Sequence, residues 1–196
     1  VPLVKIASQI MIGKKLSDFK LPNRKVNHIS VKEAVFPFAR FPGTDVILGP
    51  EMKSTGEVMG IGLTFGEAFA KSQLGAGINL PLEGKVFISI KDDDKNSVVP
   101  IAKNLKNLGF TICATSGTAK YLNDNKIETQ YIKKVIEGRP NAVDAMLSKE
   151  IQLVINTAEG RNSIKDSFSL RQTALSNKIP YYTTCLLYTS PSPRDT

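Results

Sequence analysis

Thr115-Ser116-Gly117-Thr118 follows the apolar run Phe110-Thr111-Ile112-Cys113-Ala114 and precedes a short helical pattern. A strand that empties into a small-residue turn and then a helix gathers backbone N–H groups, two Thr hydroxyls and the positive end of a helix. Together they cradle an anion, and a phosphate-bearing small ligand is the first chemistry to expect. The same tetrapeptide also serves as an ordinary strand-to-helix turn. What decides between the two is whether other cationic and amide groups meet it in space.

The elements that would bring them there are readable. Residues 3–15 form an amphipathic helical pattern with Val4, Ile6, Ile10 and Met11 on its apolar side. Residues 21–50 read as irregular, because Phe36-Pro37-Phe38 and Phe41-Pro42-Gly43 preclude a long helix. A Gly-interrupted strand is expected over 57–62. Thr64 and Glu67 then have the spacing of a capping box that opens a helix to about Gln73, and 75–84 reads as a linker. Beyond Gly84 the pattern alternates. Strand-like runs at 86–90, 110–114, 129–132, 152–156 and 181–184 are separated by helix-like runs at 98–108, 118–123, 142–149 and 163–177. This alternation predicts an α/β domain with a doubly wound parallel sheet, preceded by a smaller irregular α+β part. Ligands of such sheets sit at the carboxyl ends of the strands. That rule places Ser89 and Lys95 after the first strand, Thr115 and Thr118 after the second, Lys134 after the third, and Asn156 and Arg161 after the fourth. Two Lys, one Arg, Thr hydroxyls and an amide on one edge point to phosphate far more strongly than the tetrapeptide does.

Charge and composition agree with a small anionic ligand. Of 196 residues, 41% are apolar, enough for a packed core. The net charge is +8, with 10 basic against 7 acidic residues over 1–83 and 15 against 10 over 84–184, so the excess is dispersed. A dispersed excess suits anionic metabolites rather than a nucleic-acid groove. Cys113 and Cys185 show no metal or disulfide spacing, which points to a reduced, cytoplasmic setting. No apolar run approaches the roughly 20 residues of a membrane span, and the opening residues, with Lys5, Lys14 and Lys15 flanking a short Ile10-Met11-Ile12 run, do not read as a signal peptide. Opening on Val1 rather than Met reads as a piece of something longer.

Other chemistry is sparse. His28, the single histidine, lies among Arg24, Lys25 and Lys32 without a catalytic neighbour and reads as a solvated loop residue. Asp92-Asp93-Asp94 reads as a solvated loop rather than a metal site, and Cys113 as packing. Glu33, in the irregular stretch, is either a surface carboxylate or a receiver for an ammonium group. No Walker loop, GxGxxG, HExxH or GxSxG occurs. No catalytic and no metal-binding residue is therefore assigned.

Longer stretches carry a resemblance. "PLVKIASQIMIGKK" from Pro2, "SVKEAVFPFARFPGTDVILGPEMKSTGEVMGIGLTFGEAFAKSQLG" over 30–75, and "ATSGTA", "KKVIEGRPNAVDAM", "VINTAEGR" and "PYYTT" in order resemble the large chain of bacterial carbamoyl phosphate synthase across residues 1–184. The resemblance implies that 1–83 is the last part of the second ATP-grasp unit. Residues 84–184 would be the regulatory domain, whose fold is shared with methylglyoxal synthase. It further implies a ligase making carbamoyl phosphate from bicarbonate, ATP and glutamine-derived ammonia for arginine and pyrimidine synthesis. Its ATP and Mg2+ (or Mn2+) ligands would lie upstream of Val1, and its partner would be a glutaminase small chain in an oligomer. The piece itself would then be inactive, would bind no cofactor, and would carry regulation. UMP or IMP would bind at Ser89, Lys95, Thr115, Thr118, Lys134, Asn156 and Arg161, with Asp166 at the ribose. Ornithine would bind at Glu33, Tyr181 and Thr183, walled by Phe36 and Leu48. Two positions depart from the family pattern: Ser116 stands where His is common, and Ala158 where a Thr can contact the nucleotide.

Residues 185–196 hold two prolines where a doubly wound domain needs a covering helix, and read as a disordered or non-native tail. The rival reading is a free-standing methylglyoxal synthase-like lyase acting on a phosphorylated triose. It lacks the expected Asp-Pro pairing near Asn156 and leaves 1–83 unexplained. A purely structural oligomerisation piece is the third reading.

Overall fold

The computed structural model describes residues 1–21, 26–36, 54–157 and 161–183, with backbone alone over 161–166. Helix α1 (Leu3–Met11) is shorter than its apolar pattern. It closes at Gly13, whose φ of 105° lets Lys14 N–H bond back to the Gln9 carbonyl at 3.1 Å. Among the described residues none of α1 is buried, and Val4 (82%) and Met11 (86%) are largely exposed.

The stretch expected to be irregular contains a strand. β1 (Ile29–Val35) pairs antiparallel with β2 (Gly56–Gly62), with Glu33 opposite Val58. The prolines at 37 and 42 interrupt the chain only after Val35, and the β-branched Ile29, Val31 and Val35 favour the extended form. Residues 37–53, including Leu48, lie outside the described residues. Helix α2 (Phe65–Gly75) lies against this ribbon. The Thr64 hydroxyl accepts from Glu67 N–H at 3.3 Å, and the Glu67 carboxylate reaches back to Leu63 N–H at 2.9 Å, one residue before the usual capping-box partner. The packing is close because Gly60 and Gly62 face α2. A Cβ at Gly60 would fall 1.9 Å from the Ala68 carbonyl oxygen.

The alternating half forms the expected parallel sheet. Its strands are β3 (Lys85–Ser89), β4 (Thr111–Ala114), β5 (Gln130–Tyr131), β6 (Ile151–Asn156) and β7 (Tyr181–Tyr182), in spatial order β5-β4-β3-β6-β7. Helices α3 (Lys95–Asn107), α4 (Ser116–Asp124), α5 (Ala142–Leu147) and α6 (Arg161–Ser176) connect them. α3 starts a turn earlier than its pattern, because the three aspartates form a short 3-10 turn that runs straight into it. Each sheet face has its own core. Val86, Ile88, Ile112, Leu122 and Ile155 pack on one side, and Phe87, Cys113, Met146, Val154 and Leu170 on the other. Strands buried on both faces account for their near-continuous apolar runs.

The order fixes where a ligand can enter. From β3 the chain winds outward through β4 and β5, then returns to place β6 and β7 on the other side of β3. The direction reverses between β3 and β6, whose ends meet at Ser89 and Asn156. Such a reversal leaves a crevice at the carboxyl ends of the strands.

Candidate effector site at the carboxyl edge of the sheet

Ser89, Thr115, Lys134 and Asn156, four of the residues expected at this edge, line one pocket there together with Thr157 and Ser167. Its enclosed volume is small, about 50 Å³, and it opens to solvent at the sheet edge. Phe87, Val135, Ala142 and Leu170 make its apolar walls. Thr115 stands at the N-cap position of α4 without capping it. Its hydroxyl turns instead to Ser89 Oγ at 3.4 Å, which leaves the first amides of α4 without that side-chain acceptor. Thr157 ties the rim together: its N–H donates to the Ser89 carbonyl and its hydroxyl accepts from Lys91 N–H, both at 2.9 Å.

Lys95 reaches the same edge from α3. Its Nζ lies 4.0 Å from where a Cβ on Gly117 would stand, over the first turn of α4, and 5.7 Å from the Tyr121 ring centroid. It is held there by Asp92 at 2.6 Å. The Lys95 ammonium, bonded to Asp92, holds that carboxyl below its usual range, and Lys134 adds a smaller pull in the same direction. Asp92, exposed beyond the end of β3, is thus bonded by Lys95 and more weakly influenced by Lys134, a role the sequence reading of Asp92-Asp93-Asp94 did not foresee.

Thr118 is placed differently from its neighbours. It is buried (2% exposed), and its Oγ1 accepts from Ile90 N–H at 3.1 Å and lies 3.5 Å from the Ile90 carbonyl. Its hydroxyl stitches the end of β3 to α4. Arg161 and Asp166 lie in the first turns of α6, and their side chains are outside the described residues. The loop holding Ala158 is outside them too.

The second expected group is divided by the structure. Glu33 is half-buried on β1. Its carboxylate accepts from Ser72 Oγ at 2.9 Å and from Gln73 Nε2. Tyr181 lies across the sheet from it, where its hydroxyl accepts from Asn156 Nδ2 at 2.7 Å and sits 3.4 Å from Ser167 Oγ. Its neighbour Tyr182 is the residue that reaches the Glu33 side, donating to Gln73 Oε1 at 3.3 Å. Thr183 is exposed beyond β7, and Phe36 is exposed beyond β1. Sequence reasoning missed Ser72, Gln73, Thr157, Ser167 and Tyr182. For the last, the alternation of a strand was the available signal, since adjacent residues face opposite sides.

His28 is exposed and Cys113 is buried, as their sequence contexts indicate. Burial pushes the Cys113 thiol up to about 11, and its Sγ donates to the Val86 carbonyl at 3.4 Å. Among the described residues there is no group of three or more His, Cys, Asp or Glu that could hold a metal ion. Nor is any described helix long and apolar enough to cross a membrane.

Residues 97–183 match the MGS-like domain family, so the parallel sheet with its edge pocket is an MGS-like domain. Similarity extends well beyond it. The chain is 55% identical over 185 residues to the carbamoyl phosphate synthase large chain of Myxococcus xanthus, covering 94% of this chain and 17% of that relative. It is 51% identical over 189 residues to the large chain of Mesorhizobium japonicum, covering 93% of this chain and 16% of that one. The chain is thus similar to these large chains over nearly all of its own length while spanning only 17% and 16% of theirs. Among solved structures, methylglyoxal synthase from Elizabethkingia anophelis NUHP1 superposes with a TM-score of 0.44 and 15% identity, over 57% of this chain and 81% of that one.

Proposed function

We propose that this chain is the regulatory part of an ATP-dependent ligase that makes carbamoyl phosphate from bicarbonate and glutamine-derived ammonia in the cytoplasm, and that its edge pocket binds a nucleoside monophosphate such as UMP or IMP. The convergence of Ser89, Thr115, Lys134 and Asn156 on one crevice, with Lys95 beside the first turn of α4, carries the reading. A phosphate there would meet α4 amides, a hydroxyl and two ammonium groups, while the apolar walls would take a base or ribose face. No described lining residue is a carboxylate able to abstract a proton, which favours binding over lyase chemistry. On this reading ATP and Mg2+ chemistry belongs to the rest of the relatives' length, of which this chain spans 17% and 16%. Residues 1–83 belong, on this reading, to the end of an ATP-grasp unit. The glutaminase small chain is the partner of the whole enzyme.

A second effector, ornithine, would be recognised through Glu33 by its ammonium groups. In the structure that carboxylate already has two donors, from Ser72 and Gln73, so an ammonium ligand would add to them or displace one.

Titration calorimetry with UMP and IMP tests the pocket. Lys134→Ala removes a charge-assisted bond worth about 1.5–3 kcal/mol, so affinity should fall roughly tenfold to a hundredfold. Lys103→Ala, on the exposed side of α3, should leave it unchanged. Equal losses at both lysines would mean diffuse charge rather than a site.

A further inference from the structure

Among the described residues β7 is a two-residue edge strand, paired with β6 through Val154 opposite Tyr181 and Ile155 opposite Tyr182. Its two tyrosines face opposite sides of the sheet. On one side Tyr181 bonds Asn156 and approaches Ser167, both of which line the edge pocket. On the other, the Tyr182 ring stands 6.1 Å from that of Phe69 on α2, and its hydroxyl donates to Gln73. Gln73 in turn donates to Glu33 of β1. Ser72, Gln73 and Tyr182 are all buried, so their polar groups have little access to water as an alternative partner.

We infer that β7 mechanically links the edge pocket to Glu33, with Tyr182 and Gln73 as positioning residues. The inference rests on the reading that the pocket binds an anionic nucleotide. A ligand that takes Asn156 as a partner re-aims the amide that now donates to Tyr181. Tyr181 and Tyr182 share one short segment of backbone, so a shift in the first displaces the second. A strand of two residues with pairing on one side is the kind of element that opens or shifts locally at small cost. Gln73 must follow Tyr182 or leave a buried amide oxygen unpaired, and Glu33 is held by the other end of the same amide. A ligand biases this chain only through its different affinity for the two arrangements, and the coupling is reciprocal.

The test uses the chain with UMP as probe, calorimetry for binding, and hydrogen exchange of peptides covering β1, α2 and β6. In the unaltered chain, UMP should slow exchange in β6 and, by roughly threefold or more, in α2 and β1. Tyr182→Phe keeps the ring on Phe69 but removes the hydroxyl. It should bind UMP within about twofold of the unaltered chain and keep the β6 response, yet lose the response in α2 and β1. Gln73→Met, which keeps the length and removes both amide groups, should do the same and supports the link if Tyr182→Phe folds poorly. An undiminished α2 and β1 response in both variants, or UMP binding with no such response in the unaltered chain, overturns the link. Failure of the unaltered chain to bind UMP in the calorimeter overturns the pocket reading itself and is distinguished by that instrument alone.

Discussion

Gly60→Ala tests how α2 is seated. The added methyl would lie 1.9 Å from the Ala68 carbonyl oxygen and 2.5 Å from the Ser72 nitrogen, both backbone atoms that cannot rotate away. An unstrained carbon–oxygen contact is about 3.3 Å or more, so α2 must retreat by about 1.4 Å. Ser72 Oγ now sits 2.9 Å from the Glu33 carboxylate, and such a retreat takes it out of hydrogen-bond range. Gln73, on the same turn, moves with it. Hydrogen bonds to a charged group are worth about 1.5–3 kcal/mol each, and overpacking adds about 1–3 kcal/mol, so losing both bonds gives an expected cost of about 4–9 kcal/mol. Urea unfolding followed by circular dichroism measures it. Gly66 on the same helix supplies the control. Nothing lies within 4 Å of a Cβ there, and Gly66→Ala should stabilise by about 0.5–1 kcal/mol through helix propensity. A Gly60→Ala chain within about 1 kcal/mol of the unaltered one would refute the close-approach argument.

Three further outcomes follow from the edge and the core. Asp92→Asn frees Lys95 from its exposed partner, and UMP affinity measured by calorimetry should rise, most clearly at low salt. Thr118→Val removes the acceptor of Ile90 N–H inside the fold, and urea unfolding should show a loss of about 1–3 kcal/mol. Cys113 ties stability to alkaline pH. Its thiol is raised to about 11 by burial, so the unfolded chain loses this proton first as pH rises. Stability from this group is complete below the unfolded value near 9 and falls between about pH 9 and 11, by up to about 1.4 kcal/mol per pH unit. Cys113→Ala should flatten that part of the unfolding profile relative to the unaltered chain.

The parallel sheet was legible because strands buried on both faces must be apolar throughout. Runs such as Val86-Phe87-Ile88 admit few other readings in alternation with helices. Four pocket residues were legible by the same route, since topology alone sends Ser89, Thr115, Lys134 and Asn156 to one edge. β1 was not legible, because Glu33 occupies a position facing α2 where an apolar residue would complete the alternation, and its partner strand lies beyond an intervening proline-containing stretch. The bonds of Thr118 to Ile90 and of Gln73 to both Glu33 and Tyr182 join residues far apart in sequence. Which hydroxyl bonds backbone and which faces a ligand depends on element spacings of an ångström or so, and no periodicity encodes them.

The edge pocket and the Glu33 cluster illustrate one physical choice made twice. Beside the carboxyl edge of the sheet, cations meet an exposed carboxylate: Lys95 holds Asp92 directly, and Lys134 pulls on it more weakly. Water and salt screen that pairing, so an incoming phosphate with several oxygens can replace it at small cost. Behind β7 the carboxylate of Glu33 is instead met by neutral donors, a serine hydroxyl and a glutamine amide. Neutral donors satisfy the oxygens without cancelling the charge, which keeps Glu33 attractive to a cation while fixing its orientation. The first arrangement favours exchange with an anionic ligand. The second favours a fixed negative charge whose position is set by the helix that supplies its donors, and Tyr182 of the edge strand bonds that same helix.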